Sequence, residues 1–439
     1  MSHDLASLLW HVARARGDVS EGILRLLRGR RAPELTLTLT PFRIAVTVDP
    51  ERVRRLLVTE ADRVHKVALE QNVLGPVMQG GLILAEGDEW RRTRTAMAPA
   101  FAADLMPQLM TMSSACTAAR LDRWSGVVNL SHESRCIVND VMSRFFGGGA
   151  PLGDLPGERA LDAFSIDFRD VERALERRIW DRFGLVDRVA RLAGRVPVLD
   201  PAAPWRAAIA RRADQCHRPS GGSGDGAGAP ALGRLHAGLE SPAVVEREVR
   251  TLIGAGATTG HHLAWTAHLL ATHPGVQDQL ASEIEGFDGA EADGADPAAA
   301  LTRLEQLPYL SAVLKESLRL YPPAPYMFRR TGDGTLWVIP VWVMQRHPSF
   351  WPEPDRFRPE RWLEGAEASA YLPFGLGPRL CIGRRFSLIE SRAVVLEIVR
   401  RYRLSPVGRP PRPKMLIMMR PEADVQVGVA RRDGRRSRH

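Results

Sequence analysis

Cys381 stands in a loop rich in glycine and proline, directly before a strongly apolar segment, about 384–402, that predicts a helix. A sulfur at a helix start faces unpaired backbone N–H groups and the positive end of the helix dipole, and both favour the thiolate. Gly377 and Gly383 permit the backbone to turn tightly around a large flat cofactor. Arg379, two residues before the sulfur, can reach an acidic group on such a cofactor. A bare cysteine is usually a small buried hydrophobe, so the surrounding loop decides the interpretation.

Residues 373–383 read Pro-Phe-Gly-Leu-Gly-Pro-Arg-Leu-Cys-Ile-Gly. This string fits the pattern Phe-x-x-Gly-x-Arg-x-Cys-x-Gly at every fixed position and resembles the haem-binding loop of cytochromes P450. The resemblance implies that Cys381 ligates the iron of haem b as a thiolate and that Arg379 contacts a haem propionate. It also adds Phe374, Gly375 and Gly383 to the haem-binding set.

Two further motifs of this family precede the cysteine loop, in the order along the chain that the family shows. Glu316 and Arg319 match its Glu-x-x-Arg motif and share one face of a predicted helix, where they can pair. Residues 359–362, Pro-Glu-Arg-Trp, supply a second arginine, Arg361. Glu and Arg at this spacing are otherwise usually surface residues of little energetic weight. The resemblance implies that Glu316, Arg319 and Arg361 form a structural charge cluster that retains the fold and the haem.

Three more side chains are expected at the haem propionates. Residues 87–94, Gly-Asp-Glu-Trp-Arg-Arg-Thr-Arg, look like the family's haem-flanking helix, with Trp90 and Arg94 one turn apart. The alternative interpretation of this segment is a solvated basic helix end. After Pro322-Pro323, Arg329 is the candidate for a further propionate contact and Arg330 is the alternative register.

The predicted helix 249–272 contains Gly-Ala-Gly-Ala-Thr-Thr at 254–259, where the family usually carries an acidic residue before a threonine that serves oxygen activation. The key threonine is Thr258 or Thr259, and counting back from His273-Pro274 favours Thr258. In that register Ala257 replaces the acidic residue, and a methyl group cannot act as a general acid.

Small residues in the same helix, Gly254 and Ala255 among them, would let it open beside the iron and leave room for dioxygen and water. Because Ala257 cannot carry a proton, we hypothesise that Thr258 and ordered water deliver protons, assisted by His261.

Hydrophobic periodicity predicts a mainly α protein with small β sheets, which the resemblance specifies as the cytochrome P450 fold. Residues 35–48 alternate and predict a hairpin, and Asp49-Pro50 opens a helix to about Thr59. Apolar residues recur at helical spacing in three longer stretches, namely 88–144, 161–195 and 244–272.

We expect one haem-thiolate domain over 1–430 and a basic, disordered tail over 431–439. The Gly/Ser-rich segment 218–233 predicts a surface loop, with a domain boundary as the alternative. Between Arg330 and Gln345 about a dozen residues of the family's usual hairpin are missing, so a trimmed β region is expected there.

The composition, 44% apolar and 25% charged residues in 439, is ordinary for a soluble protein. No apolar run has the length of a membrane span, and the start resembles neither a signal peptide nor an anchor. The four cysteines are scattered without a C-x-x-C pair, which favours a reducing cytoplasm over disulfides or a zinc site. The net charge of +9 is attributed to arginine bias rather than nucleic-acid binding and could attract an acidic protein partner.

These observations predict a soluble, bacterial-type, monomeric haem-thiolate monooxygenase that hydroxylates a small apolar organic molecule with dioxygen, with a role in natural-product biosynthesis as one possibility. No flavin or iron–sulfur module is visible, so two electrons are expected from a ferredoxin or flavodoxin with its NAD(P)H reductase. Two alternatives stay open: an atypical reaction without oxygen insertion (oxidative coupling, isomerisation or dehydration), suggested by Ala257, and a non-catalytic haem-binding protein.

Overall fold

The computed structural model describes residues 10–11, 19–28, 34–39, 42–67, 80–147, 230–287, 296–366, 369–415 and 418–432. The helices in these ranges are α1 Val19–Arg28, α2 Pro50–Arg54, α3 Gly87–Met97, α4 Met106–Leu121, α5 Leu130–Gly147, α6 Pro230–Gly238, α7 Pro242–Thr272, α8 Pro274–Glu283, α9 Pro297–Glu305, α10 Pro308–Leu320, α11 Val341–Met344 and α12 Arg384–Arg401. The strands are β1 Glu34–Leu39, β2 Phe42–Thr47, β3 Val64–His65, β4 Val127–Asn129, β5 Met327–Thr331, β6 Leu336–Ile339, β7 Tyr402–Pro406, β8 Pro413–Met415, β9 Met419–Pro421 and β10 Gln426–Arg431. The expected mainly α protein with small β sheets is confirmed.

The described residues fall into two compact units. The first contains Met1–Val67, Thr117–Ser131 and His261–His439, and the second contains Ala68–Cys116 and His132–Gly260. The single domain expected over 1–430 stays a prediction. In the described part of the chain, no helix is both long and apolar enough to cross a membrane.

The described residues of the first unit form three small sheets. The largest has the strand order β1-β2-β6-β5-β3, with β2 parallel to β6 and the other pairs antiparallel. The others have the order β4-β10-β7 and the single pair β8-β9. Leu35 and Leu37 on β1 point into the core while Thr36 between them is exposed, which is the period-two alternation that predicts a half-buried strand.

The predicted hairpin and the helix after it are both present. Strands β1 and β2 pair from Glu34–Thr47 to Leu39–Phe42. Asp49 caps helix α2, because its carboxylate accepts hydrogen bonds from the backbone N–H groups of Glu51 and Arg52. A π-helical turn then continues to Thr59, the predicted end.

The hydrophobic core under the five-stranded sheet reaches the segment that precedes the cysteine loop. Leu27, Val48, Ile339 and Met419 are fully buried in this cluster, and Leu372, two residues before Phe374, belongs to it. The core therefore anchors one end of the loop that carries Cys381.

The described residues of the second unit are mostly helical. Within it, a Cβ at Gly256 on α7 would lie 3.2 Å from side-chain atoms of both Val138 and Met142 on α5, so the missing side chain lets these two helices pack closely. The backbone N–H of Leu82 donates to the buried carboxylate of Glu248, 2.9 Å away, and ties the segment before α3 to α7.

Three expectations about local structure are corrected by the structure or fall outside the described residues. Arg431 ends strand β10, so the basic tail starts later than expected, and residues 433–439 lie outside the described residues. Residues 230–233 belong to helix α6 rather than to a loop, and the rest of that segment, 218–229, is outside the described part. The predicted helical stretch 161–195 also lies outside it.

In the region where a trimmed β region was expected, β5 and β6 form a short hairpin around Gly334, whose φ is +83°. The strand ends at Ile339, however, and residues 341–344 form one buried helical turn, α11, instead of continuing the β region. All four side chains of α11 are buried. A strand at the edge of the sheet would expose every second side chain, whereas a helical turn in the interior can bury all four.

Candidate active site

The cysteine loop joins the core to helix α12. Its last part is a 3₁₀ turn over Gly377–Arg379, and Gly383 stands immediately before the helix. The backbone N–H of Cys381 donates to the carbonyl of Phe374 over 3.0 Å, which closes the loop on itself. The Cys381 side chain is exposed at the start of an 18-residue helix, where helix-end N–H groups and the dipole favour a thiolate.

Two glycines of the loop adopt the left-handed backbone conformation. Gly375 has φ +78° and Gly377 has φ +73°. A Cβ at Gly377 would overlap the carbonyl oxygen of Leu57, so the loop can pass over the end of the π-helical turn only without a side chain there. The sequence predicted a close approach at Gly377 to a cofactor, and the structure brings its backbone against the backbone of Leu57.

The charge cluster has the three predicted members in direct contact. Arg319 donates to both carboxylate oxygens of Glu316, over 2.8 and 2.9 Å, and Arg361 Nε donates to Glu316 Oε1 over 3.0 Å. All three side chains are buried. A buried ion pair is stable only when its remaining donors and acceptors are also satisfied.

Further partners complete this cluster. Trp362 Nε1 donates to Glu316 Oε2 over 2.9 Å, and Arg319 Nη1 donates to the carbonyls of Gln345 and Pro354 over 2.8 and 2.7 Å. Arg361 Nη1 donates to Pro352 O over 2.9 Å. Sequence reasoning missed Trp362, although it directly follows Arg361 and its indole N–H needs a partner when buried.

The two candidate propionate contacts of the first unit lie on different elements. Arg379 is half-buried in the 3₁₀ turn of the cysteine loop. Arg329 is half-buried on β5 and donates to its neighbour's carbonyl, Phe328 O, whereas Arg330 is exposed. A Cβ at Gly375 would lie 3.6 Å from Met327 Sδ, so the start of β5 runs alongside the cysteine loop. This proximity and its partial burial favour Arg329 over Arg330 as the candidate.

In the second unit, Trp90 and Arg94 lie on α3 as the sequence predicted. Both are half-buried, and the Arg94 guanidinium carbon lies 5.9 Å from the centre of the Trp90 ring. This one-turn spacing brings the two side chains onto one helix face, at a distance compatible with a cation–π contact.

Helix α7 runs without interruption through residues 254–259, so the expected opening is not seen in this structure. Gly254 and Gly256 are buried, and Gly256 serves packing against α5. Ala255 is exposed, and Thr258, one turn along, is half-buried and donates to Ala255 O over 2.8 Å. Because Thr259 is only 5% exposed, Thr258 has the more accessible hydroxyl, which favours the register with Ala257 in the acidic position.

Two buried titratable side chains were not singled out from the sequence. Burial lowers the pKa of His262 to about 4, although a hydrogen bond to the Leu314 backbone opposes the shift, and His262 Nδ1 lies 3.3 Å from Ser391 Oγ. Burial raises the pKa of Glu390 on α12 well above its usual value. Within the described residues neither carboxyl oxygen of Glu390 has a hydrogen-bond partner. No local signal in the sequence marks Glu390, because burial on every side of a helix depends on its neighbours. His261, the hypothesised proton carrier, is 7% exposed.

Comparisons with known proteins match the part of the chain that contains the cysteine loop and the charge cluster. A cytochrome P450 family model matches residues 241–427, which include α7, Glu316 and Cys381. Cytochrome P450 4c3 of Drosophila melanogaster is 31% identical over 207 residues, 43% of this chain and 38% of the relative. Cytochrome P450 3A29 of Sus scrofa is 34% identical over 217 residues, 45% of this chain and 42% of the relative. The chain thus spans about two fifths of the length of these curated relatives.

Both of these relatives are animal proteins, so the expected bacterial type stays a prediction. The matched segment begins after Trp90 and Arg94, whose roles rest on the sequence pattern alone. Residues 241–427, with the thiol loop and the buried charge cluster inside them, are thus similar to the cytochrome P450 family to which the matched relatives belong.

Proposed function

We propose that this protein is a haem-thiolate monooxygenase that hydroxylates a small apolar organic substrate with dioxygen and two electrons. The observation that carries the proposal is the cysteine loop: an exposed thiol at the N-terminal end of an 18-residue helix, closed by the Cys381–Phe374 hydrogen bond. Members of the superfamily bind haem b through a cysteine thiolate.

The donor chemistry of the loop fits haem. The single thiol of Cys381 would supply the protein ligand, which suits an iron whose other ligands come mainly from a macrocycle. Arg379 in the same loop and Arg329 on the adjacent strand are cations suited to propionates. Phe374, Gly375 and Gly383 would line the loop side of the cofactor. When bound, haem supplies the activation of dioxygen and the transfer of an oxygen atom.

The remaining roles belong to the protein's own side chains. The hydroxyl of Thr258 would hold and pass a proton, since it is the accessible hydroxyl of its segment and Ala257 beside it has no acidic group. Trp90 and Arg94 would bind propionates. Glu316, Arg319 and Arg361 would hold the backbone that carries the loop and take no part in proton transfer.

Electrons would come from a ferredoxin or flavodoxin with its NAD(P)H reductase. Four exposed arginines are the proposed docking residues, Arg91, Arg92, Arg384 and Arg385. Two of them already have acidic neighbours, Arg91 with Asp88 at 2.7 Å and Arg385 with Glu305 at 3.3 Å, so Arg92 and Arg384 would contribute most to an acidic partner. We further propose a cytoplasmic, monomeric protein, and natural-product biosynthesis as one setting for its reaction.

The substrate is proposed to be apolar because the segments predicted to form its pocket are rich in large apolar side chains. These segments are roughly 67–84, 164–205 and the stretch after Pro323. Most of these segments, 68–79 and 164–205, lie outside the described residues. In the described part, Tyr326 and Phe328 stack with their ring centres 6.1 Å apart at the start of β5.

The test is the carbon monoxide spectrum of the reduced protein beside Cys381→Ser. We expect a thiolate-type Soret band in the parent protein and its loss in the variant, together with NAD(P)H consumption that depends on a redox partner and substrate. A histidine-type band in both proteins would overturn the thiolate assignment. A thiolate band without reductant consumption above background, for any substrate tried, would favour a non-catalytic haem protein.

A second candidate, an atypical reaction without oxygen insertion, is favoured by one observation. In the register supported by the exposure of Thr258, the acidic position is the half-buried methyl of Ala257. Product analysis under ¹⁸O₂ separates the two functions, because hydroxylation leaves one labelled oxygen atom in the product and coupling, isomerisation or dehydration leaves none.

A further inference from the structure

At the C-terminal end of helix α10, two backbone carbonyls lack the N–H donors that a continuing helix would supply. In a helix, the carbonyls of Leu318 and Arg319 would accept from the N–H groups four residues on, but positions 322 and 323 are both proline and have no N–H. Both carbonyls lie in the buried interior of the first unit. Buried carbonyls without donors would cost free energy, so another part of the chain must supply the hydrogen bonds.

Gln345 supplies both of these hydrogen bonds. Its side-chain Nε2 donates to Leu318 O and to Arg319 O, each over 3.0 Å, and the side chain is fully buried. The next residue acts in the same way, since Arg346 donates to Leu320 O over 2.9 Å. The turn after α11 thus caps the helix that carries Glu316 and Arg319.

The other end of the same amide reaches the cysteine loop. Gln345 Oε1 accepts from the backbone N–H of Leu372 over 2.9 Å, and Leu372 O accepts from Gly375 N over 3.1 Å. The loop then closes through Phe374 O and Cys381 N, 3.0 Å apart. One neutral side chain therefore joins the capped helix end to the first residues of the loop.

The backbone of Gln345 is fixed as well, because its carbonyl accepts from Arg319 Nη1 over 2.8 Å. We propose that Gln345 is a positioning residue for the thiolate: it transmits the fixed geometry of the Glu316–Arg319 cluster to the loop that presents Cys381. This proposal rests on the proposed haem-thiolate function and assigns Gln345 no contact with substrate or haem.

The chain offers a matched control in Gln277. This residue is also fully buried and makes the same three side-chain hydrogen bonds: its amide donates to Leu270 O and Leu404 O and accepts from Leu404 N. These bonds join α8 to the end of α7 and to β7, so Gln277 has no hydrogen bond to the cysteine loop. Methionine is close to glutamine in size, so Gln345→Met and Gln277→Met remove equivalent bonds with little change in volume.

Two measurements on the full-length protein test the proposal. Amide hydrogen exchange of the segment that contains Leu372 should become faster on the order of tenfold in Gln345→Met, as expected for the loss of one buried hydrogen bond, and should be unchanged in Gln277→Met. The fraction of the reduced carbon monoxide complex with a thiolate-type Soret band should fall in Gln345→Met and stay at the parent value in Gln277→Met.

Equal losses of the thiolate-type band in the two variants, or unchanged exchange at Leu372 in Gln345→Met, would overturn the positioning role. If Gln345→Met does not fold, Gln345→Asn, which keeps the amide but is one methylene shorter, must show the same two changes in smaller size, and parent-like values there refute it. Absence of a thiolate band in the parent protein would instead refute the proposed function, and exchange at Leu372 would still report whether Gln345 holds the loop.

Discussion

Glu316 accepts hydrogen bonds from two buried arginines, the Trp362 indole and the backbone N–H of Arg358. Replacing it by glutamine leaves two buried guanidinium groups without a counter-charge, which is far more costly than the loss of a surface pair. We predict that Glu316→Gln lowers the free energy of unfolding by about 3–5 kcal/mol, measured by urea denaturation.

Glu21→Gln is the control for this prediction, because Glu21 pairs with Arg25 at 2.8 Å on a partly exposed helix face. We expect Glu21→Gln to change the free energy of unfolding by less than about 0.5 kcal/mol. Similar losses in the two variants would mean that the Glu316 cluster stabilises the fold no more than a surface ion pair does.

Single residues show what sequence alone could and could not predict. The contact of Glu316 with Arg319 follows from their spacing on one helix, and the structure has it. Gln345 could have been suspected from the two prolines after α10, which leave carbonyls without donors. Which distant residue supplies the donors depends on long-range packing, and no local pattern around Gln345 encodes that.

Among the elements, the cysteine loop depends most on backbone conformation. Gly377 has φ +73°, and a Cβ there would overlap Leu57 O. Gly408 has nearly the same φ, +72°, but has open space around it. Alanine at Gly408 should therefore cost only the left-handed backbone penalty, about 1–2 kcal/mol.

We predict that Gly377→Ala lowers the free energy of unfolding by more than Gly408→Ala does, and that it alone reduces the thiolate-type carbon monoxide band. The reason is that the loop must move away from the backbone of Leu57 to accommodate the methyl group. Denaturation and spectra of the two variants provide the comparison, and matching results would show that the contact with Leu57 does not matter to the loop.

Elements with strong periodicity were predictable, and short buried ones were not. The β1–β2 hairpin, α7 and α12 follow from alternation and helical spacing, and their ends agree within a few residues. Residues 341–344 are apolar throughout, so their pattern does not distinguish a strand from a helix. In the structure they form the buried helical turn α11. Helix α7 was expected to open at 254–259, but it continues there without interruption. The small residue Gly256 instead allows close packing against α5.

For the whole molecule, two buried groups in the first unit oppose each other in the pH dependence of folding. His262 has a folded pKa of about 4, below its unfolded value near 6.5, so the unfolded state binds the proton more readily and stability falls as the pH drops between these values. The pKa of Glu390 is raised well above 4.5, so the folded state binds the proton more readily and stability falls as the pH rises above 4.5.

The two effects have opposite signs above pH 4.5, so substituting one group should reveal the other. Relative to the parent protein, we predict that the free energy of unfolding of Glu390→Gln increases with pH above 4.5, by up to about 1.4 kcal/mol per pH unit, because the opposing slope is gone. His262→Gln should show the opposite relative slope between pH 4.5 and 6.5, and a constant difference from the parent above pH 7.5, where His262 is neutral in both states. Urea denaturation of the three proteins at half-unit pH intervals measures both slopes. Changes in packing or hydrogen bonding shift the free energy of unfolding of each variant by a constant amount. Parallel pH profiles would therefore show that neither group titrates differently in the folded protein.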